Sequence, residues 1–236
     1  MKWVVKITDK LSELRIKIDD IDDQIINLIL KRSNLVSEVG ELKKNTGGRI
    51  YVPEREANIF FNLSKISSLP IEMVKAIYIE IISGCRRLEK ILTIGILNDS
   101  KSLVGIKNIF GTYVENKKYM DMDSLFKDEN NLDYILVKIS EKSLELIETL
   151  NMYVINITSI DGEVYLLIGR VLNNPSYEDT TLFISDEPLG NNYMQFKNIS
   201  LSFIPGHFTC KSIQELMSQL NTDGIHYYML GSYPKI

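Results

Sequence analysis

Two cations lie where a helix should be apolar. In NLILKRSNLVSEVGELKK, residues 27–44, leucine, isoleucine and valine recur at helical spacing and form one face. Arg32 and Lys43 fall inside this face, and because they are eleven residues apart, about three turns, they point in the same direction. Burying an unpaired charge is costly, so an anion from another helix, another chain or a ligand must meet them.

A structural explanation competes with this one. Long cationic side chains often reach past an apolar rim to water, or these two could form salt bridges with Glu56 or Glu89. That explanation suits a single cation better than two cations in register.

Further charged residues lie on two more predicted helices. Arg55 and Glu56 open the second helix, in VPEREANIF, where the helix dipole also favours a carboxylate. In the third, IEMVKAIYIEIISGCRRLEKIL, Cys85 and Glu89 are four residues apart and share the edge of the apolar stripe. Each residue alone is commonly structural, and their combination is the stronger indication of a site.

Three helices are predicted before residue 91: Leu11 to about Lys44, Pro53 to about Ile66, and Pro70 to about Leu92. At ~1.5 Å per residue the first would be about 50 Å long, too long for two shorter helices of the same chain to cover. An intertwined helical dimer is the simplest arrangement that covers the rest.

After residue 91, β-rich runs alternate with the helical runs EKSLELIETLN and KSIQELMSQLN, which predicts an α/β or α+β region and a multidomain chain. The runs predicted as strands are ILTIGIL, LDYILVKI, MYVINIT, VYLLIGRVL, TTLFIS, ISLSFI and IHYYML.

Charge and composition exclude several classes of protein. With 27 lysine and arginine against 31 aspartate and glutamate residues, the net charge of −4 excludes a generically basic protein that coats nucleic acid. No run of about 18 apolar residues and no leader-like N-terminus occurs, so we expect a cytoplasmic protein with no membrane partner. Cys85 and Cys210 are far apart and His207 and His226 stand alone, so we expect neither a metal site nor a disulfide framework.

Residues 11–90 closely resemble the all-helical chorismate mutases. The segments that carry the resemblance are LSELRIKIDDIDDQIINLILKRSNLVSEVGELKK, GGRIYVPEREANIF and LPIEMVKAIYIEIISGCRRLEK. The resemblance implies an isomerase of aromatic amino acid biosynthesis, in the shikimate pathway, that converts chorismate to prephenate by a pericyclic rearrangement without a cofactor. Such an enzyme must hold a flexible dianion in its compact conformer and stabilise charge on the breaking ether oxygen.

The resemblance also implies roles for individual residues. Arg15 would bind a substrate carboxylate in the partner protomer's site, and Arg32 would bind another carboxylate in its own site. Lys43 would donate a hydrogen bond to the ether oxygen. Glu56 would accept from the ring hydroxyl, and Arg55 would support this charge network.

Three positions depart from the family's pattern. Val52 replaces an aspartate, so only its backbone could contact the hydroxyl, and Cys85 replaces a serine, which is the stronger hydrogen-bonding group. Glu89, a predicted catalytic residue, stands where many relatives have glutamine. A glutamine amide donates at any ordinary pH, whereas a glutamate donates only when it is protonated. We therefore predict a mutase rate that falls as the pH rises, and a Glu89→Gln variant that loses most of this dependence.

Residues 92–236 resemble the prephenate dehydratase part of bifunctional mutase-dehydratase proteins. ILTIGIL and LDYILVKI look like strands of that part, and GIHYYMLGSYP looks like the last strand of its appended ACT module. The predicted domains are a chorismate mutase domain at 1–91, a reduced dehydratase-like region at 92–170 and an ACT-like regulatory region at 171–236.

The details of this half argue against dehydratase activity. The family's catalytic Thr-Arg-Phe aligns with Glu163, Val164 and Tyr165, and too little chain remains for two complete lobes. We expect a regulatory or dimer-forming role, and feedback by phenylalanine or another aromatic amino acid is left open.

Two functions therefore follow from the sequence. The first is a dimeric chorismate mutase that binds chorismate and prephenate. The alternative is a non-catalytic module that binds these compounds or docks onto another enzyme of the pathway. The chain keeps all the charged residues to which the resemblance assigns a role, and this favours the enzyme. Buried charges destabilise a core that binds nothing, so a chain that had lost the activity would be expected to lose them first.

Overall fold

The computed structural model describes residues 2–208, 213, 216 and 225–235. The chain forms two compact units, one made of Met1–Ile50 with Gly84–Lys90 and the other of Tyr51–Ser83 with Ile91–Ile236. The predicted domain boundaries at 91 and 170 remain predictions. Within the described residues, no helix is both long and apolar enough to cross a membrane.

The first unit is dominated by one long helix, α1, which spans Lys2–Thr46. It begins nine residues before the predicted start at Leu11, and its 45 residues make a rod of about 68 Å. The helix ends at Thr46 and is followed by Gly47, whose φ of +71° suits glycine, and the N–H of Gly48 donates to the carbonyl oxygen of Lys43 at 3.1 Å.

Apolar side chains form an exposed seam along α1. They recur at alternating intervals of three and four residues, and each is between 45% and 66% exposed in this single chain. Arg32 occupies a position of the same series. This spacing is typical of a helix that packs along its length against other helices. The seam consists of Leu11, Leu14, Ile18, Ile21, Ile25, Leu28, Leu35, Val39 and Leu42.

The second unit combines helices with two sheets. Its helices are α2 (Pro53–Ile66), most of α3 (Ile71–Glu89), α4 (Ser100–Phe110), α5 (Met122–Lys127) and α6 (Glu141–Thr149), with a 3-10 turn at Glu129–Asn131. Its strands are β1 (Thr93–Leu97), β2 (Glu115–Tyr119), β3 (Tyr134–Lys138), β4 (Tyr153–Ile160), β5 (Glu163–Gly169), β6 (Asp179–Ser185), β7 (Tyr193–Gln195), β8 (Ser200–Pro205) and β9 (Tyr227–Pro234).

The strands form a mixed sheet and an antiparallel sheet. The five-stranded sheet has the order β2-β1-β3-β5-β4, in which β2, β1 and β3 are parallel and β5 runs antiparallel to both of its neighbours. The four-stranded sheet has the order β7-β8-β6-β9 and is antiparallel throughout. One hydrophobic core joins the two sheets, with Ile135 and Leu166 from the first and Leu182 and Leu230 from the second.

The predicted class, a helical N-terminal region followed by an α/β region, is confirmed, and each predicted strand run is found as a strand. The sequence missed β2, because its residues ENKKY are polar and almost all exposed, as is common at a sheet edge. It also missed β7, α4 and α5. The predicted helix KSIQELMSQLN lies outside the described residues apart from Ile213 and Leu216.

Candidate active site

Lys43 and Glu89 form an ion pair between α1 and the last turn of α3. The Lys43 Nζ donates to the Glu89 Oε2 at 2.8 Å, and their side chains are 21% and 7% exposed. The structure thus brings together two residues that the resemblance assigns to the ether oxygen. Because the pair is largely buried, dissolved ions screen the attraction between its two charges less than they would at the surface.

Gly40 allows this approach. A Cβ atom at this position would lie 3.1 Å from the Cγ and 3.3 Å from the Cβ of Glu89. Glycine in a helix interior costs ~1 kcal/mol relative to alanine, so its place inside α1 has a packing reason. Gly40 was not among the residues predicted from the sequence, although a glycine within a helical pattern is a recognisable signal.

The turn after α1 also makes room for Lys43. A Cβ atom on Gly48 would lie 2.9 Å from the Cγ of Lys43. Glycine at this position therefore leaves the stem of the lysine free to extend towards Glu89.

Arg32 carries a buried donor that is not satisfied. Its Nη1 has no hydrogen-bond partner within the part of the chain that the structure describes. Buried polar atoms nearly always have a partner, and a guanidinium group suits a carboxylate especially well. The Nη1 of Arg32 is therefore available to an anion that the described part of the chain does not supply.

Ser33 and Cys85 meet beside these charged groups. The Ser33 Oγ and the Cys85 Sγ are 3.3 Å apart, and Cys85 is buried. Cys85 lies one helical turn before Glu89, so both side chains of α3 face α1. Ser33 was missed, because its pairing with a residue 52 positions away is invisible in a local pattern.

Arg15 is exposed on α1, in the half of the helix that precedes Arg32. Its predicted role in a partner's site remains a prediction.

Arg55 and Glu56 lie in the second unit, in the first turn of α2. Arg55 is exposed, whereas Glu56 is 8% exposed. Their backbone N–H groups donate to the carbonyl oxygen of Val52 at 3.0 and 3.2 Å. The Val52 carbonyl oxygen, one of the backbone groups that could contact a hydroxyl, therefore already accepts two hydrogen bonds within the helix. The substrate roles of Arg55 and Glu56 remain predictions.

In the second half, Glu163 belongs to an ion-pair cluster on β5. It accepts from Lys138 at 2.6 Å and from Lys101 at 3.0 Å, and these two hydrogen bonds hold the pKa of its carboxyl below the usual value. Burial, with the nearby carboxylates of Asp99 and Glu163, raises the pKa of Tyr165 to about 12. Two of the residues that align with the dehydratase motif are thus a paired carboxylate and a buried neutral phenol.

The first unit is thus a helical unit that combines the cations Arg32 and Lys43 with the largely buried carboxylate of Glu89. Residues 14–90 match the family model of chorismate mutase type II. This part of the chain therefore belongs to the chorismate mutase type II family.

Curated relatives extend the similarity beyond the helices. The bifunctional chorismate mutase/prephenate dehydratase of Aquifex aeolicus is 30% identical over 172 residues, covering 68% of this chain and 47% of that protein. The chorismate mutase of Methanocaldococcus jannaschii is 43% identical over 58 residues, covering 25% of this chain and 59% of that protein. The first match covers more of the chain than residues 1–91 contain, so it reaches into the second half.

The chain spans about half the length of the bifunctional relatives that it matches. Among solved structures, a prephenate dehydratase from Streptococcus mutans matches 61% of this chain and 98% of its own, with a TM-score of 0.42 and 10% identity. That likeness is below the level that identifies a shared fold.

Proposed function

We propose that this chain is a chorismate mutase, which rearranges chorismate to prephenate without a cofactor. The observation that carries the proposal is the combination of a buried, unsatisfied Arg32 Nη1 with the Lys43–Glu89 pair in one unit. The match of residues 14–90 to chorismate mutase type II supports it.

In the proposed mechanism, the protein positions a dianion and stabilises developing charge. Arg32 binds one substrate carboxylate, and this interaction satisfies its buried donor. Lys43 donates to the ether oxygen as negative charge grows there. A fixed donor of this kind costs no reorganisation when the bond breaks.

Glu89 has two parts in this mechanism. When it is ionised, it orients the Lys43 ammonium, which has three N–H donors and can therefore bind Glu89 and the ether oxygen together. When it is protonated, it can itself donate to the ether oxygen. Cys85 and Ser33 line the same face, and Arg55 with Glu56 bind the ring hydroxyl side of the substrate.

The active form is proposed to be a homodimer. The exposed apolar seam of α1 supports this, because nine large apolar side chains at heptad spacing are rarely left in water. Arg15 would then supply a carboxylate contact in the partner's site.

The second half is proposed to lack dehydratase activity and to keep a regulatory or dimer-forming role. The ion-paired Glu163 supports this, because a glutamate held by two lysines offers no hydroxyl like that of the family's catalytic threonine. An aromatic amino acid is the class of effector to test, and a rise in melting temperature on adding phenylalanine would support such binding.

The deciding experiment follows chorismate loss and prephenate formation with the purified full chain, with phenylpyruvate assayed in parallel. We expect prephenate and no phenylpyruvate. Tight binding of chorismate without turnover would instead support a non-catalytic binding module, and phenylpyruvate would contradict the proposed loss of dehydratase activity.

A further inference from the structure

The segment that leads into α2 is bound to the sheet region of the second unit. Tyr51 is 1% exposed, and its hydroxyl accepts from the Asn156 Nδ2 at 2.7 Å. Its ring packs against Phe110 and Tyr134, with centroid distances of 4.6 and 5.6 Å. Asn156 is also buried, at 5% exposure. Breaking a hydrogen bond in such surroundings leaves a costly unsatisfied group.

A bulge in β4 aims Asn156 at this tyrosine. The register between β4 and β5 shifts between Val154 and Asn156, and bulges commonly redirect a side chain. The other end of the amide is also used, because the Asn156 Oδ1 accepts from the N–H of Ile157 at 2.8 Å. Both ends of this side chain are therefore fixed.

A second contact holds the first turn of α2 itself. The Glu54 Oε1 accepts from the backbone N–H of Asn174 at 3.3 Å and from its Nδ2 at 3.0 Å, and Glu54 is 6% exposed. The preceding Asn173 donates to the carbonyl oxygens of Ile155 and Ser232 at 2.7 and 2.9 Å. The segment that holds Glu54 is thus tied to β4 and β9.

The helix α3 is held in a similar way by the loop that follows α4. The carboxylate of Glu80 accepts from the backbone N–H and the hydroxyl of Thr112 at 3.2 and 3.1 Å. The Ser83 Oγ accepts from the N–H of Tyr113 at 2.9 Å. Gly111, with φ of +71°, allows the close approach, because a Cβ there would lie 2.8 Å from the Cβ of Ser83.

The first turn of α2 has no side-chain cap of its own. Its N-cap residue is Val52, whose side chain offers no acceptor for the N–H groups of the turn. Arg55 and Glu56 follow Glu54 directly in this turn. The contact of Glu54 with Asn174 therefore adds a side-chain anchor to this turn that capping by Val52 does not supply.

We propose that Asn156 and Asn174 are positioning residues for the mutase reaction: they hold Tyr51 and Glu54, and through them fix the first turn of α2. The second half of the chain thereby serves as a scaffold for α2, which lies within the residues that match chorismate mutase type II. The kinetic part of this inference rests on the proposed function, whereas its structural part rests on the contacts alone.

The test uses the full chain with Asn174→Asp, the double variant Glu54→Gln with Asn174→Asp, and Asn191→Asp. The first places two carboxylates against each other. The double variant restores an amide-to-carboxylate bond with donor and acceptor exchanged. Asn191 is exposed, so its variant adds the same charge as a matched control.

Two readouts are measured: the kinetics with chorismate, and the hydrogen exchange of the Arg55 and Glu56 amides. For Asn174→Asp we expect KM to rise about tenfold, which corresponds to ~1.4 kcal/mol. We expect kcat to change little, because the ring hydroxyl that Arg55 and Glu56 are proposed to bind is present in both the substrate and the transition state. The two amides should exchange faster, and the double variant should restore both readouts. Tyr51→Phe, which removes the acceptor of Asn156, should act in the same direction.

Several results would overturn the inference. One is an unchanged KM in Asn174→Asp, with or without faster exchange. Another is a general loss of stability that the double variant does not reverse. If the unmodified chain proved inactive, the proposed function would fall, while the exchange rates would still decide whether Asn174 fixes this turn.

Discussion

The ammonium of Lys43 and the carboxylate of Glu89 are 2.8 Å apart, with Glu89 at 7% side-chain exposure. The same carboxylate that occupies the place of a family glutamine is therefore the counter-ion of the proposed catalytic lysine. A protonated Glu89 would no longer be the counter-ion of Lys43 and would itself become a second hydrogen-bond donor. The rate of the proposed reaction should therefore depend on the state of this pair.

The first prediction concerns pH. A protonated Glu89 can donate to the ether oxygen and an ionised one cannot, so kcat/KM for chorismate should fall as the pH rises. Glu89→Gln should lose most of this dependence, because an amide donates throughout the range. The measurement is the pH profile of both proteins; a flat profile for the unmodified enzyme would make Lys43 the only donor.

The second prediction concerns Gly40. Gly40→Ala should lower kcat several-fold with little change in melting temperature, because the new methyl group crowds Glu89 while alanine gains ~1 kcal/mol of helix propensity. Gly40→Val should lower kcat further. Ser37→Ala, at an exposed position of the same helix, is the control. Full activity in Gly40→Val would show that the close approach is not needed.

The third prediction tests the shared site of the proposed dimer. Arg15→Ala and Arg32→Ala should each be nearly inactive. Refolded together in equal amounts, they should regain about a quarter of the activity, because half of the dimers are mixed and each mixed dimer has one intact site. Absence of any recovery, with mixed dimers demonstrated, would place both arginines in the site of one chain.

The fourth prediction concerns acid stability of the second unit. Hydrogen bonds from Lys117, Tyr119 and Asn131 hold the pKa of the Asp128 carboxyl well below its usual range. A folded-state pKa below the unfolded value stabilises the fold at neutral pH, and this contribution is lost as the pH falls below about 4. The melting temperature of Asp128→Asn should therefore fall less between pH 6 and pH 3 than that of the unmodified chain. Asp22→Asn, at an exposed position of α1, should behave like the unmodified chain.

The sequence by itself determined the elements and the types of residue at the site. The three N-terminal helices, the predicted strands and the two cations on an apolar face follow from local periodicity, which each segment carries in its own residues. The polar edge strand β2 was missed for the same reason, because no apolar alternation marks it.

Only the tertiary structure decided which partners these residues take. Glu89 pairs with a lysine 46 positions away, and Glu54 is held by an asparagine 120 positions away. Local patterns cannot select among several acidic residues at such separations, because the choice depends on how the elements pack. Gly40 and the bulge at Asn156 also depend on the folded chain. Gly40 sets how closely α3 approaches α1, and the bulge changes the register at which Asn156 lies in β4.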